Sequence, residues 1–185
     1  MFDPHMLLHD ESAWAIETKR KSDIRDDDTF PQRIKIVGPN GEIARTPLLT
    51  WRSEAEKYRV MAVVSECCKL AFAQAVVVTT DTRYLLTDEF SDHFGIARPT
   101  EETMDAWMKE RFRVMKPYNH YMGNLPRHLF AEMLTVVIYG PRIKRMATVK
   151  YTLKDTAFAF EPVHLIDGAN GVDKLQLNMI PAWWD

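Results

Sequence analysis

The sequence predicts an α+β protein in which an antiparallel or mixed sheet packs against a buried central helix and a second amphipathic helix. Three observations indicate this fold class. Helical patterns cluster in the middle of the chain, a β-branched run follows the first of them, and alternating runs separated by turn residues fill the last third. Such segregation is typical of α+β folds, whereas regular alternation of strand and helix predicts a doubly wound sheet. We expect about five or six strands, the last of them in a C-terminal β-meander.

A single globular domain, residues 1–185, accounts for the length and the composition of the chain. Domains usually contain roughly 100–200 residues, and a chain of this size buries about 70% of the surface that it exposes when unfolded. The sequence is 46% hydrophobic and 27% charged, close to globular averages. It therefore needs neither a disulfide nor a metal to hold a core.

The N-terminal segment, about residues 1–30, is the most polar part of the chain and is expected to be rich in loops. Asp3 followed by Pro4 predicts a short helix that reaches Leu8, because proline suits the first position of a helix. Weak alternation over residues 12–18 predicts an edge strand, which a solvated loop follows.

A β-hairpin is predicted for residues 33–45. Ile34 and Ile36 alternate with charged residues, and the Gly-Pro-Asn-Gly sequence at 38–41 supplies turn residues before the return strand.

The strongest helical pattern begins at Ser53, which forms a predicted capping box with Glu56. The residues that follow are apolar on most sides, which indicates a buried helix. Cys67 and Cys68 lie within it, and we expect both to be buried, reduced thiols that behave as small apolar residues. The run at 75–80 then predicts a central strand covered on both faces, because it is apolar without alternation.

Two further helices are predicted. Thr87 opens a short helix that Gly95 closes, and Thr100 opens a longer one that Pro117 ends. The predicted apolar face of the longer helix comprises Met104, Trp107, Met108, Phe112 and Met115.

The last third has the pattern of a meander. Residues 133–139, 146–153 and 158–163 are predicted strands, separated by Gly-Pro and Lys-Asp-Thr turns, and a further strand is expected at 174–180.

Composition also limits the function and the compartment. A net charge of −2 and an isoelectric point near 6.3 leave no basic surplus of the kind that phosphate-backbone binding favours. The N-terminus lacks the basic and apolar regions of a signal peptide, and no window approaches the ~18 apolar residues of a membrane span. We expect a cytoplasmic protein without membrane contact.

No motif identifies a cofactor or a reaction. A glycine-rich phosphate loop, a nucleophile elbow and a spaced cysteine pair are all missing from the sequence, and we expect no cofactor. His5 and His9 have a spacing that places both on one helical face, but no third ligand is evident, so no metal site is expected.

Asp81 is the first candidate catalytic residue, and Arg83 is a candidate ligand-binding residue. Asp81 follows the run at 75–80, so we expect it at the carboxyl end of a buried strand, where ligands often bind. The alternative is that Asp81 begins a turn or caps the next segment.

The densest group of ligand-capable side chains lies in the loop Tyr118–His128. His120 and His128 are candidate catalytic residues, with His120 as a general base. Tyr118 and Arg127 are candidate ligand-binding residues, with Arg127 as an anion clamp, since a guanidinium matches carboxylate or phosphate geometry. The alternative is a packed connection whose aromatic residues close the edge of the core.

Two other features are candidates for binding. Basic residues gather around the hairpin 142–150, as on a nucleic-acid surface, although charges on the solvent face of a hairpin are common. Trp183 and Trp184 are candidate partner-binding residues, because tryptophan is enriched in interface hot spots. The alternative is that they dock on the protein body and hold the C-terminus in place.

Three function classes follow from these features. The first is a non-catalytic binding or accessory protein that acts through protein–protein contacts, with an unknown partner or by self-association. The second is a cofactor-free enzyme of hydrolase or transferase type, which acts on an anionic small molecule near Asp81 and the Tyr118–His128 loop. The third is a nucleic-acid-binding protein that uses the basic hairpin 142–150.

Overall fold

The computed structural model of the chain describes residues 3–22, 30–45, 54–119, 124–154, 157–167 and 183. Over these residues it has the helices α1 (Pro4–Lys21), α2 (Glu54–Leu70), α3 (Thr87–Phe94) and α4 (Met104–Met115). The strands are β1 (Arg33–Val37), β2 (Ile43–Arg45), β3 (Ala75–Leu85), β4 (Phe130–Gly140), β5 (Ile143–Lys154), β6 (Ala157–Phe160) and β7 (His164–Asp167). The predicted α+β class is confirmed.

The strands form one antiparallel sheet in the order β2-β1-β3-β4-β5-β6. The predicted hairpin of β1 and β2 is confirmed, with Lys35 opposite Arg45. The C-terminal strands depart from a simple meander, because β7 pairs with β5 and not with β6. The Glu161 amide donates to the Lys150 carbonyl at 2.9 Å, which holds the connecting segment beside β5. The predicted strand at 174–180 lies outside the described residues.

The chain forms two compact units, a larger one of residues 1–82 and 133–185 and a smaller one of residues 83–132. In the larger unit, alternate residues of β3 enter two different cores. Val76 and Val78 belong to a cluster that contains the α2 residue Met61, whereas Ala75 and Val77 pack in a cluster with Leu7 and Leu8 of α1. The sheet therefore has α2 on one face and α1 on the other, which confirms that residues 75–80 form a strand covered on both faces.

Helix α1 corrects the predictions for residues 12–18. One helix of 18 residues replaces the short helix to Leu8, the edge strand and the start of the loop. Asp3 caps it as predicted, since its carboxylate accepts a hydrogen bond from the His5 amide at 2.8 Å. The pattern was misleading because polar residues lie on the buried face of α1. Glu11, Ser12 and Lys19 are all buried.

Helix α2 is confirmed over residues 54–70, while the predicted capping residue Ser53 lies outside the described part of the chain. Its burial is only partly as predicted. Cys68 is buried, but Cys67 is exposed, because a helix on the surface of a sheet turns one side towards water. An apolar residue on that side is not distinguishable in sequence from one in the core.

The smaller unit contains α3 and α4. Gly95 ends α3 in the left-handed conformation, as predicted, and the Trp107 Nε1 group donates to Ser91 Oγ at 2.8 Å in the core of this unit. Helix α4 begins at Met104, later than predicted, because Thr100 and Thr103 hydrogen-bond to each other in the turn before it.

None of the helices within the described ranges has the length and apolar character needed to cross a membrane.

Candidate functional site

The predicted site residues belong to both units. Asp81 lies in the larger unit, whereas Arg83, Tyr118, Arg127 and His128 lie in the smaller one. His120 lies outside the described residues.

Asp81 lies within β3 and not at its carboxyl end as predicted, because the strand continues to Leu85. It is part of a largely buried polar cluster. Lys19 Nζ of α1 donates to Asp81 Oδ2 at 2.8 Å, and the Tyr151 hydroxyl of β5 lies 2.7 Å and 2.8 Å from the two carboxylate oxygens. The side chain of Lys19 is only 3% exposed and that of Asp81 14%. The carboxylate is therefore fully engaged by protein donors, and it compensates the charge of an ammonium group that water barely reaches.

Aromatic rings complete the surroundings of Lys19. Its Nζ atom lies 4.9 Å from the centre of the Tyr151 ring and 5.0 Å from that of Phe158. The faces of aromatic rings attract cations, so the ammonium is held by the Asp81 carboxylate and by two rings. Such a cluster fixes the position of α1 on the sheet.

A second ion-pair cluster lies further towards the N-terminus of α1. The Glu11 carboxylate binds Lys35 Nζ of β1 and accepts a hydrogen bond from Thr79 Oγ1 at 3.3 Å. Arg33 Nε is 3.7 Å from the same carboxylate. Glu11 and Lys19 are eight residues apart and share one helix face, so two charged side chains of α1 anchor it to the sheet.

Sequence reasoning did not identify Glu11, Lys19 or Tyr151. One signal was present. Leu7, Leu8, Ala15 and the two charged residues have helical spacing, but the charged residues resemble a solvated face until their partners on the sheet are known.

The remaining predicted site residues that the structure describes are Arg83 and, in the loop, Tyr118, Arg127 and His128. All of them lie within the smaller unit. Arg83 Nε donates to Glu132 at 2.6 Å. The Tyr118 ring packs edge-on against Phe94 at 5.8 Å between centres. Arg127 and His128 are exposed, and His128 packs edge-on against His93 at 5.4 Å. The half-buried ring of Tyr118 agrees with the alternative that the loop's aromatic residues close a core, and the roles of Arg127 and His128 stay predictions.

Trp183 belongs to the core of the larger unit. Its Nε1 group donates to the Ala73 carbonyl at 3.1 Å, and its ring packs edge-on against Tyr139 at 5.9 Å. This placement is the one expected if the C-terminus docks on the protein body. Trp184 lies outside the described residues.

The basic hairpin and the histidine pair are the last two predicted features. Arg142 and Lys150 are exposed, while Lys144 lies 5.6 Å from the centre of the Tyr139 ring. His5 and His9 are exposed on α1. In the described part of the chain, no group of three or more His, Cys, Asp or Glu side chains is arranged to hold a metal ion.

The most distinctive exposed feature of the smaller unit is an apolar row on α4, formed by Met104, Met108 and Phe112. These residues are spaced by four and lie on one side of the helix. All three are exposed, and Phe112 is 65% exposed. The predicted apolar face of α4 is thus divided, because only Trp107 and Met115 enter the core.

A shallow groove of about 430 Å³ lies along another side of α4. It is lined in part by Ile96, Ala106 and Trp107, with Arg98 at its rim. Arg98 donates to Asp92 at 2.5 Å, and this contact lowers the pKa of the Asp92 carboxyl.

Comparison with known proteins gave no match, whether with family models, with curated proteins or with solved structures.

Proposed function

We propose that the protein is a non-catalytic binding or accessory protein that acts through protein–protein contacts. The observation that carries the proposal is the exposed apolar row of α4, Met104, Met108 and Phe112. Exposed side chains at successive turns of one helix are the pattern by which helices dock on apolar surfaces of other proteins. The matching partner is an amphipathic helix or another apolar segment of a protein.

The chemistry of the row supports a protein partner over a small ligand. Methionine side chains are flexible and polarisable, so they adapt to irregular apolar surfaces. Phe112 supplies a large, rigid anchor of the kind that is enriched in interface cores. The row lies on a convex helix surface, whereas small-molecule sites are concave.

A cofactor-free enzyme has less support. Both oxygens of Asp81 accept hydrogen bonds from Lys19 and Tyr151, so this carboxylate is already engaged within the fold. We also propose the cytoplasm as the compartment, which the free thiols of Cys67 and Cys68 support.

A peptide-display selection against the folded protein tests the proposal. We expect the selected peptides to have apolar residues at helical spacing and to bind with an affinity that Met108→Glu lowers at least about tenfold, since hot-spot substitutions exceed about 1.4 kcal/mol.

Ala106→Glu is the matched control, because it adds the same charge to an exposed position of α4 on the side of the groove. The proposal predicts that this variant binds the peptides as the natural protein does. Loss of binding in Ala106→Glu with retention in Met108→Glu would assign the peptides to the groove, and equal retention in both would contradict a role for α4.

A further inference from the structure

Helix α2 has a second apolar side, which faces away from the sheet. Met61 and Cys68, seven residues apart, are buried against the sheet, while Val63 and Leu70, also seven residues apart, are exposed. A helix advances about 100° per residue, so a shift of two positions places the second pair on the opposite side. Leu70 is 79% exposed. We call Val63, Cys67 and Leu70 the outer row of α2.

A strained aromatic residue follows the outer row at the end of α2. Phe72 has a φ of +49°, and its amide and that of Ala73 donate to the carbonyls of Lys69 and Cys68. This is the Schellman arrangement, in which the left-handed position usually holds glycine. A bulky residue there is strained, and yet Phe72 is 80% exposed.

We propose that the outer row of α2 is a self-association surface, on which a second copy of this chain docks with its own α2 antiparallel. The argument for a second copy is that the row is complementary to itself in charge and in shape. In an antiparallel pair centred between Glu66 and Cys67, Val63 of each copy lies opposite Leu70 of the other. Such a contact is isologous, as in most homodimers.

The same register matches the charges beside the row. Glu66 and Lys69 lie on one flank of the row, and both are exposed. Across the two-fold axis, Glu66 of each copy comes within one helical turn of Lys69 of the other, which gives two symmetric ion pairs. In a parallel pair in register, Glu66 lies beside Glu66 and Lys69 beside Lys69, so these ion pairs do not form.

The register also brings the two Cys67 side chains together. Cys67 is exposed and lies on the flank opposite to Glu66, next to the centre of the pair. Its two symmetric copies are therefore neighbours across the axis, whereas Cys68 is buried in each copy.

The size of the surface sets the strength of the dimer. Helix α2 has 17 residues and is about 25 Å long, so a contact along it buries less than the roughly 800 Å² per partner of a standard interface. We therefore expect reversible association with a Kd on the order of 10 μM.

Sedimentation equilibrium across that concentration range, with a short bismaleimide cross-linker as a second readout, tests the proposal. We expect a monomer–dimer equilibrium, cross-linked dimers through Cys67, and loss of both in Leu70→Glu. Leu165→Glu is the matched control, because Leu165 is an exposed leucine on β7, and this variant should dimerise normally.

A monomer at all concentrations, or a dimer that persists in Leu70→Glu, would overturn the proposal. A dimer that Leu70→Glu abolishes but that Cys67 does not cross-link would overturn the antiparallel arrangement.

Variants that reverse a charge or relieve backbone strain distinguish a role in self-association from a role in stabilising the fold. Glu66→Lys and Lys69→Glu should each weaken the dimer, and the double variant should restore it. Phe72→Gly should weaken the dimer without lowering the melting temperature, since glycine relieves the left-handed strain. Failure of the double variant to recover would contradict the proposed pairing. A lower melting temperature in Phe72→Gly would show that the ring acts within the fold.

Discussion

At the scale of single residues, Lys19 has the most unusual environment in the described part of the molecule. It is almost completely buried and is neutralised by Asp81, with the Tyr151 hydroxyl on the same carboxylate. A buried ion pair contributes less than its geometry suggests, because desolvation of both charges offsets the attraction. Removal of one partner is nevertheless costly, since it leaves the other charge buried alone.

The Lys19–Asp81 pair therefore predicts a large asymmetry between single and double variants. Lys19→Met should lower the free energy of unfolding by about 3–5 kcal/mol, whereas the double variant Lys19→Met/Asp81→Leu should recover most of that loss. Urea denaturation measures both. Lys21→Met is the control, because Lys21 pairs with Glu17 at the surface and exposed pairs contribute little to stability. Equal losses in the Lys19 and Lys21 variants would show that the cluster is not a structural anchor.

The adjacent cysteines differ in reactivity. Cys67 is exposed, whereas burial, and secondarily Cys67 itself, raises the pKa of the Cys68 thiol from 9.0 to about 12. We expect a maleimide to label one thiol quickly in the folded monomer and the second only after unfolding, because the thiolate is the reactive form. Cys67→Ser should remove the fast phase. Fast labelling of two thiols per folded chain would contradict the burial of Cys68.

The raised pKa of Cys68 also makes stability depend on alkaline pH. A pKa that is higher in the folded state favours folding while the thiol is protonated, so this contribution is complete below about pH 9 and is lost as the pH rises towards 12. Melting temperatures of the natural protein and of Cys68→Ala should therefore converge over this range. A constant difference between them would show that Cys68 does not titrate with folding.

At the scale of elements, α1 shows how a mostly polar segment becomes part of a core. Its buried apolar residues are Leu7 and Leu8, which pack with residues of β1, β3, β4 and β5, and Ala15, which packs in a separate cluster. Its polar contacts include the two ion-pair clusters. The segment for which the sequence predicted a short helix, an edge strand and the start of a solvated loop is thus one structural helix of the larger unit.

Shortening a buried side chain of α1 should accordingly lower the free energy of unfolding. Leu8→Ala removes a buried side chain from a packed cluster, and we expect it to lower the free energy of unfolding by about 2–5 kcal/mol. Met6→Ala, at an exposed position two residues earlier, should change it by less than about 0.5 kcal/mol. Denaturant titration distinguishes the two. If both variants are neutral, α1 does not contribute to the stability of the larger unit.

At the scale of the whole molecule, the prediction of a single domain has a direct test. Strands β3 and β4 each contain residues of both compact units. We expect one cooperative thermal transition, as is usual for single domains of this size.

Tryptophan fluorescence reports on the two units separately. Trp107 lies in the core of the smaller unit and Trp183 in that of the larger. Variants that keep only Trp107 or only Trp183 of the five tryptophans therefore report on one unit each. Coincident transitions are expected, with the calorimetric and van't Hoff enthalpies equal. Two separated transitions would show two domains.

Local chemistry determined much of this protein from the sequence alone. The Gly-Pro-Asn-Gly turn produced the first hairpin, Gly95 ended α3, and the β-branched run at 75–80 became a strand with both faces buried. These features depend on backbone preferences and on the period of apolar residues, and neighbours in sequence are enough to specify them.

Tertiary structure decided what each side chain faces. Lys19 and Asp81 are 62 residues apart, and only the sheet brings them together, so neither the burial of α1 nor the engagement of Asp81 follows from local sequence. Likewise, Val63 and Cys68 belong to the same helical pattern, and only the position of the sheet makes one exposed and the other buried. The physical reason is that burial depends on long-range packing, whereas the tendency to form a helix or a strand is set largely by neighbouring residues.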